Sequence, residues 1–275
     1  MSLVINTNIA SLVAQANLST SSSQLKLSVQ RLSSGYRINS SADDAAGLAR
    51  ADQLKSQSRM IQASMRNIND GASTMEVADK AAEQITNIIT RMGELAASAA
   101  QGTLDTNTRD YYKNEYDKLA SEIDRIANTT EFGGYKILNG SVTSLTMFIG
   151  FKNSSNDQLS ITLNALTTVS SLGLTAGILT SVTGALSALD AVSAALKSVN
   201  DARAIFGASA NRLTVSLNNL QVTFTNFQSA ESRIRDADFA YETSIYTRNQ
   251  IMVQAGTSVL AQANTLPQQA LTLLR

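Results

Sequence analysis

The chain contains no cysteine, no histidine and no tryptophan, and one proline in 275 residues. Without Cys or His it can hold no thiol nucleophile, zinc site, Ser-His-Asp triad or imidazole acid-base pair. A carboxylate-only hydrolase or an oxygen-ligated metal site is not excluded by these absences. The missing Cys fits an extracellular protein without disulfides and equally a cytosolic one. Aromatic residues are only 5% of the chain, which favours helix-on-helix packing over a compact mixed core. The 22 basic and 22 acidic residues cancel, so neither nucleic acid nor a membrane surface is an expected partner. Nowhere do 18 apolar residues run together, so no transmembrane helix is expected. The N-terminus has no positive charge before Lys26 and no apolar run of signal-peptide length, so an export route for this chain would cleave nothing.

Charge is also missing locally. Residues 1–25 and 249–274 carry no charged side chain, and neither do residues 158–189. A solvated helix normally carries Lys and Glu on its outer face. The two ends instead read as amphipathic helices with Gln, Asn, Ser and Thr on the polar side. A neutral polar face suits a helix surrounded by protein, or one lining a narrow passage. Two such ends suggest that they pair, and that their other partners are further copies of the chain. The seam expected to drive this polymerisation is Ile5, Ile9 and Leu12 at one end. At the other it is Ile245, Met252, Val259, Leu266 and Leu273, spaced by seven throughout.

What is present is long apolar periodicity in alternating three- and four-residue steps. Ile5, Ile9, Leu12, Ala16 and Leu25, Val29, Leu32, Tyr36 form the first series. Ile61 to Ala96, Tyr112 to Ile126 and Leu189 to Ile234 form the others, with Arg203 and Glu231 at positions where the last expects apolar residues. Patterns this long without internal caps favour a coiled-coil rod. Two islands are not helical. "EFGGYKILNG" at 131–140 carries glycine turn signals around a short apolar strand, and residues 145–163 read as a β-hairpin with the polar loop "KNSSND". The expected fold is therefore mainly α: an elongated antiparallel helical coiled-coil bundle, with paired terminal helices, a three-helix rod and a small β-hairpin region. Residues 1–40 with 236–275 form the expected terminal layer and 41–235 the rod, with the hairpin near 131–165. A loop near 165–184 stands where no separate outer domain is expected.

Between the first two helices lies "QRLSSGYRINSSADDAAGLA", residues 30–49. Gly35 supplies a left-handed helix stop. Ser41 with Asp44 reads as a capping-box-like start, Asp43 and Asp44 sitting at the positive end of the next helix. The turn needs only Gly35 and a cap, so the charge of both signs is surplus. Arg31, Gly35, Arg37, Asp43 and Asp44 are accordingly expected to act as an inter-subunit connector.

Several of these motifs resemble bacterial flagellin. They are "INTNIASLVAQANL", the 30–49 stretch, "RNINDGASTMEVADKAAEQI", "GELAASAAQGT", "EIDRIANTTEFGGYKILNG", "SLGLTAG" and the C-terminal "SRIRDADFAYETSIYTRNQIMVQAGTSVLAQANTLPQQALTLLR". They cover nearly the whole chain in family order. The resemblance implies a secreted, non-enzymatic structural subunit without cofactors, exported by the flagellar type III apparatus and polymerised into the extracellular filament that drives swimming. It implies terminal helices lining the filament channel. Implied partners are further copies or other flagellins, the cap and hook–filament junction proteins, an export chaperone and the host Toll-like receptor that senses flagellin. That receptor's motif falls on Arg91, Leu95 and Glu115, with Gly93 where many receptor-active members carry another Arg. The variable outer domains of the family are missing between Gly177 and "ALSALDAVSAALKSV". Alternative readings are a hook–filament junction protein and a secreted coiled-coil adhesin.

Overall fold

The computed structural model describes residues 7–163 and 168–273, with residues 266–273 as backbone alone. Five helices carry most of it: α1 (Ile9–Ser34), α2 (Ala45–Ala99), α3 (Thr106–Thr129), α4 (Val182–Arg235) and α5 (Phe239–Leu273). Between α3 and α4 lie two hairpins, β1 (Glu131–Phe132) with β2 (Tyr135–Lys136), and β3 (Ser144–Phe148) with β4 (Gln158–Thr162). The chain divides into two compact units, Met1–Gln57 with Asn226–Arg275, and Ser58–Thr225. These borders differ from the expected 40 and 236. They fall inside α2 and α4, because backbone hydrogen bonding runs through a helix wherever its side chains change neighbours.

In the unit Ser58–Thr225, α2 and α4 run antiparallel. Gly93 lies against Val192, Asp79 against Arg203, and Gly71 near Leu213. The α3 helix returns along α2, tied by Arg109 Nε to the Ala99 carbonyl at 3.1 Å and by Arg91 to Glu115. The buried row of α2 includes Ile61, Ile68, Met75, Ala82, Ile89 and Ala96, a strict seven-residue spacing with Ala78, Ile85, Met92 and Ala99 between. In α4 the buried row is Ala185, Ala188, Val192, Ala195, Val199, Ala202, Phe206, Ser209 and Leu213. This corrects the expected seam at four places. Ala188, Ala195, Ala202 and Ser209 take the central positions expected for Leu189, Leu196, Arg203 and Ala210. Ala120 and Ala127 do the same in α3, where Leu119 and Ile126 only flank. Small residues at the centre let helices approach closely, and longer side chains seal the margins. Arg203 therefore interrupts nothing. It sits beside the seam and donates from Nε to Asp79 at 2.9 Å, and that pairing raises its pKa further.

The hairpins close one side of this unit. Gly133 and Gly134, both at positive φ, form the two-residue turn between β1 and β2. In the second hairpin Ser144 pairs with Thr162 and Phe148 with Gln158, so Met147, Leu159 and Ile161 face inward. It docks on α2 through Ser64 Oγ, which donates to the Gly150 carbonyl, and through Asn67 Nδ2 to the Phe148 carbonyl at 3.4 Å. Gly71 is the notch for Met147: a Cβ there would lie 2.1 Å from the methionine sulfur. Residues 168–181, irregular apart from a 3-10 turn at Ile178–Thr180, are held on α3 by carboxylates. Asp124 accepts from the Val169 N–H and Asp117 from the Gly177 N–H, both at 2.8 Å.

Candidate assembly surface and connector

The unit built from the two ends is an antiparallel pair of α1 and α5. Asn8 caps α1 by accepting from Ser11 N–H at 3.1 Å, and its Nδ2 reaches across to the Ala263 carbonyl at 2.8 Å. Ser11 Oγ bonds Asn264 Oδ1 at 3.0 Å, Leu18 lies over Gly256, and Arg31 meets Glu242 at 3.7 Å. The inward row of α1 is Ser11, Ala14, Leu18, Ser21, Leu25, Ser28 and Leu32. On α5 it is Glu242, Asn249, Gly256 and Ala263, spaced by seven, with Tyr246, Val253 and Leu260 between.

That seam differs from the apolar rows expected to pair. Ile9 is 63% exposed, Leu12 54%, Met252 52% and Val259 57%, and Val29 is exposed as well. Ile245 alone of the described set is half-buried. Ile5 and the side chains of Leu266 and Leu273 lie outside the described residues. The physical reason is size. Ser, Ala and Gly let the two helices approach closely, and Leu18, Leu25, Leu32, Tyr246, Val253 and Leu260 alternate with them half-buried, while Ile9, Leu12, Met252 and Val259 face outward. Val13, Phe239, Tyr241 and Ile251 join those outer faces, and only Val29 among the rest was legible as a seam residue. The row at 242, 249, 256 and 263 has the same seven-residue period as the apolar one. A search for period irrespective of hydrophobicity would have found it.

The connector follows its expected geometry at Gly35, which has φ 74° and donates its N–H to the Arg31 carbonyl at 2.9 Å. The expected capping box does not form, because Asp44 is itself the cap, accepting from Gly47 N–H at 2.8 Å. Asp43 closes a tight turn. It accepts from the N–H groups of Asn39 and Ser40 and from the Ser40 hydroxyl, and these bonds hold its pKa below the ordinary carboxylate value. Arg37 donates from Nη2 to the Ile234 carbonyl at 2.7 Å, and its N–H goes to the Arg235 carbonyl. Arg235 pairs with Asp52 and lies 4.6 Å over the Tyr36 ring. The charge read as surplus thus makes bonds within the chain, while Arg37, Asp43 and Asp44 remain exposed. Arg37→Ala is expected to destabilise the dissociated chain itself by about 0.5–1 kcal/mol, since it removes a charge-assisted bond at the negative end of α4. Thermal melts of chain and polymer should fall together; an unmoved chain with a weakened polymer would show that Arg37 acts between subunits instead.

The third expected site is split by burial. Arg91 donates to Glu115 Oε1 at 3.0 and 2.9 Å and to Glu94 at 2.8 Å, a surface network that raises the arginine's pKa. Leu95 is 2% exposed and belongs to the core, so it offers no surface to a receptor. Gly93 permits close approach of α4: a Cβ there would lie 3.2 Å from Val192.

Comparison with known proteins agrees with this architecture. The bacterial flagellin N-terminal helical region matches residues 5–143, and the C-terminal helical region matches residues 189–274. A flagellin of Halalkalibacterium halodurans is 37% identical over 99% of this chain and 100% of its own. Flagellin A of Vibrio cholerae is 32% identical over the whole of both chains. That alignment extends over 379 positions, so the relative carries sequence with no counterpart in these 275 residues. A structure described as a putative flagellar hook-associated protein of Vibrio parahaemolyticus superposes with a TM-score of 0.59, covering 70% of this chain and all of that one. At 12% identity that likeness concerns the fold alone. Two terminal regions matched in order, on a paired-end helical fold with little between them, leave one conclusion: the chain belongs to the bacterial flagellin family, in a short form, and is a subunit of the extracellular flagellar filament that drives motility.

Proposed function

We propose that the outward apolar faces of α1 and α5 are the contacts by which neighbouring copies bury one another in the filament. Ile9, Leu12, Met252 and Val259 carry them, and by sequence spacing alone Ile5, Leu266 and Leu273 belong to the same series. The supporting observation is the exposure of these side chains on two helices whose remaining surface is almost free of charge. Bulky aliphatic groups left in water are stabilised by about 1.5–3 kcal/mol each on full burial, so a few per subunit suffice to drive association. The terminal pair, residues 1–40 with 236–275, would line the channel, where neutral Gln, Asn, Ser and Thr offer a passing chain no fixed charge. Residues 41–235 would form the next layer and, with the segment near 165–184, the outer surface. The role is structural, not catalytic.

The finer partners follow the same logic. A cap and hook–filament junction proteins would meet the filament's two ends, and an export chaperone would cover the apolar faces of α5 before assembly. A host Toll-like receptor could engage only the Arg91–Glu115 network, with Leu95 beneath it as support. The junction-protein reading is disfavoured by relatives that are flagellins over their full length. The absence of native cysteine makes a direct test available. Leu12→Cys and Val259→Cys chains should react with a maleimide when dissociated and be protected severalfold or more in filaments. Equal labelling in the two states would place these faces outside the contacts.

A further inference from the structure

After β2 the chain reads Asn139-Gly140-Ser141. Ser141 donates to Asn139 Oδ1 twice, from its backbone N–H at 3.0 Å and its hydroxyl at 2.6 Å. A backbone N–H can only donate, so the amide oxygen of Asn139 faces Ser141 and its nitrogen faces away. That nitrogen donates to Asn128 Oδ1 at 3.3 Å. The ring closed between Asn139 and Ser141 encloses the Gly140 peptide unit, which folds the side-chain carbonyl back toward the Gly140 nitrogen. Gly140 has φ 81° and no side chain to shield that nitrogen. Among the described residues its N–H donates to no acceptor. A nucleophile, an electrophile and two donors aimed at the electrophile's oxygen are thus assembled in three consecutive residues.

We propose that Asn139 is a self-modification site that deamidates through a cyclic imide. The Gly140 nitrogen gives its proton to water or hydroxide and attacks Cγ of Asn139. Negative charge develops on Oδ1, where the Ser141 N–H and hydroxyl stabilise it, as an oxyanion hole does. The Cγ–Nδ2 bond breaks, and Nδ2 takes a proton from water and leaves as ammonia. Water then opens the imide at one carbonyl or the other, giving aspartate or isoaspartate. The net change consumes one water and releases one ammonia, and no oxidant, reductant or cofactor takes part.

The product alters the local structure in two ways. A carboxylate oxygen replaces the donor that faced Asn128 Oδ1, so the tie from this turn to α3 is lost. Isoaspartate also adds a carbon to the main chain directly after Ile137 and Leu138, which are 3% and 0% exposed. Strain from that insertion falls on the core anchor between α3 and β3. In an extracellular filament, the modified fraction becomes a record of how long a subunit has been outside the cell.

Peptide mapping tests this cleanly. Cleavage after Lys136 and Lys152 yields a peptide, 137–152, in which Asn139 is the only side-chain amide. A gain of about one dalton in it reports the exchange of amide for acid at that residue. Native chain and the synthetic 137–152 peptide are incubated side by side at mildly alkaline pH, and isoaspartate is detected by enzymatic methylation. The native chain should accumulate the product at least as fast as the free peptide. Ser141→Ala should slow the native chain severalfold and leave the peptide unchanged. A native chain that stays unmodified while the peptide reacts would overturn the proposal, as would a native rate indifferent to Ser141→Ala.

Discussion

A Val259→Asp chain is expected to stay helical and dissociated, and to fail to extend filaments from wild-type seeds. The effect separates two states of one residue. In the single chain Val259 is 57% exposed on α5, so a carboxylate there remains hydrated. Surface substitutions of that kind usually move stability by less than about 0.5 kcal/mol. In the proposed filament contact the same carboxylate is taken out of water against a neighbour's apolar face with no cationic partner. The surrounding helix offers none, since residues 249–274 carry no charge. Burying an unpaired carboxylate costs several kcal/mol. At a cost of roughly 3 kcal/mol per subunit, the concentration needed for growth rises by about 10²-fold. Seeded elongation followed by sedimentation and electron microscopy measures this, with circular dichroism of the dissociated chain as the folding control. Normal filaments from this variant would remove the outward face of α5 from the assembly contacts. The aspartate's own titration offers a second readout. Burial raises a carboxyl pKa, so assembly should recover in part as pH falls and the buried acid neutralises.

The fold was largely legible because a heptad pattern and its breaks are encoded locally. Long series of apolar residues marked α2 and α4, and "EFGGYKILNG" marked the first hairpin through its paired glycines. The second hairpin lay where alternation and a polar loop put it. What escaped was the choice between adjacent rows. A reading weighted by hydrophobicity favours Leu189 over Ala188, Leu196 over Ala195 and Val259 over Gly256. Packing chooses the smaller residue in each case because the helices approach closely there, while Val192, Val199 and Leu213 fill the same buried row of α4 where there is more room. The connector's intrachain bonds escaped for a different reason. Its charges looked surplus because their acceptors are distant in sequence: Arg37 finds the Ile234 carbonyl, Arg31 finds Glu242 and Arg235 finds Asp52. Asp43 and Asp44, in contrast, are spent on N–H groups within four residues, which the local sequence could have shown. Leu95, assigned to a receptor contact by the resemblance alone, is 2% exposed beside the surface Arg91, since residues four apart share a face only broadly and burial can divide it.

Glu242 carries the remaining large effect. Its side chain is 6% exposed, in the first turn of α5, and faces Arg31, whose side chain is 25% exposed, at 3.7 Å. Among the described residues Arg31 Nε is buried with no hydrogen-bond acceptor. Removing the carboxylate by Glu242→Ala leaves the guanidinium largely desolvated, with the Asp43 carboxylate as its remaining counter-charge, and strips the α5 N-terminus of its favourable acid. Breaking a fully buried pair costs about 3–5 kcal/mol; with a quarter of Arg31 in water, about 1–3 kcal/mol is expected here. Hydrogen exchange along α1 and α5 in the dissociated chain should report that loss. The double variant Arg31→Leu with Glu242→Leu should behave differently. Two apolar side chains that fill the site need no desolvated charge, so the pair should regain most or all of the lost stability. It should nevertheless assemble poorly. Small, neutral seam residues repeat every seven positions on both helices, and a displaced register costs little unless a polar pair penalises it. Arg31 and Glu242, with Asn249 one heptad further, supply that penalty, and register decides whether the outward faces of α1 and α5 line up for a neighbour. A Leu–Leu chain that is both stable and fully competent to polymerise would show that register is set elsewhere in the pair, with the Asn8 to Ala263 and Ser11 to Asn264 bonds the next to test.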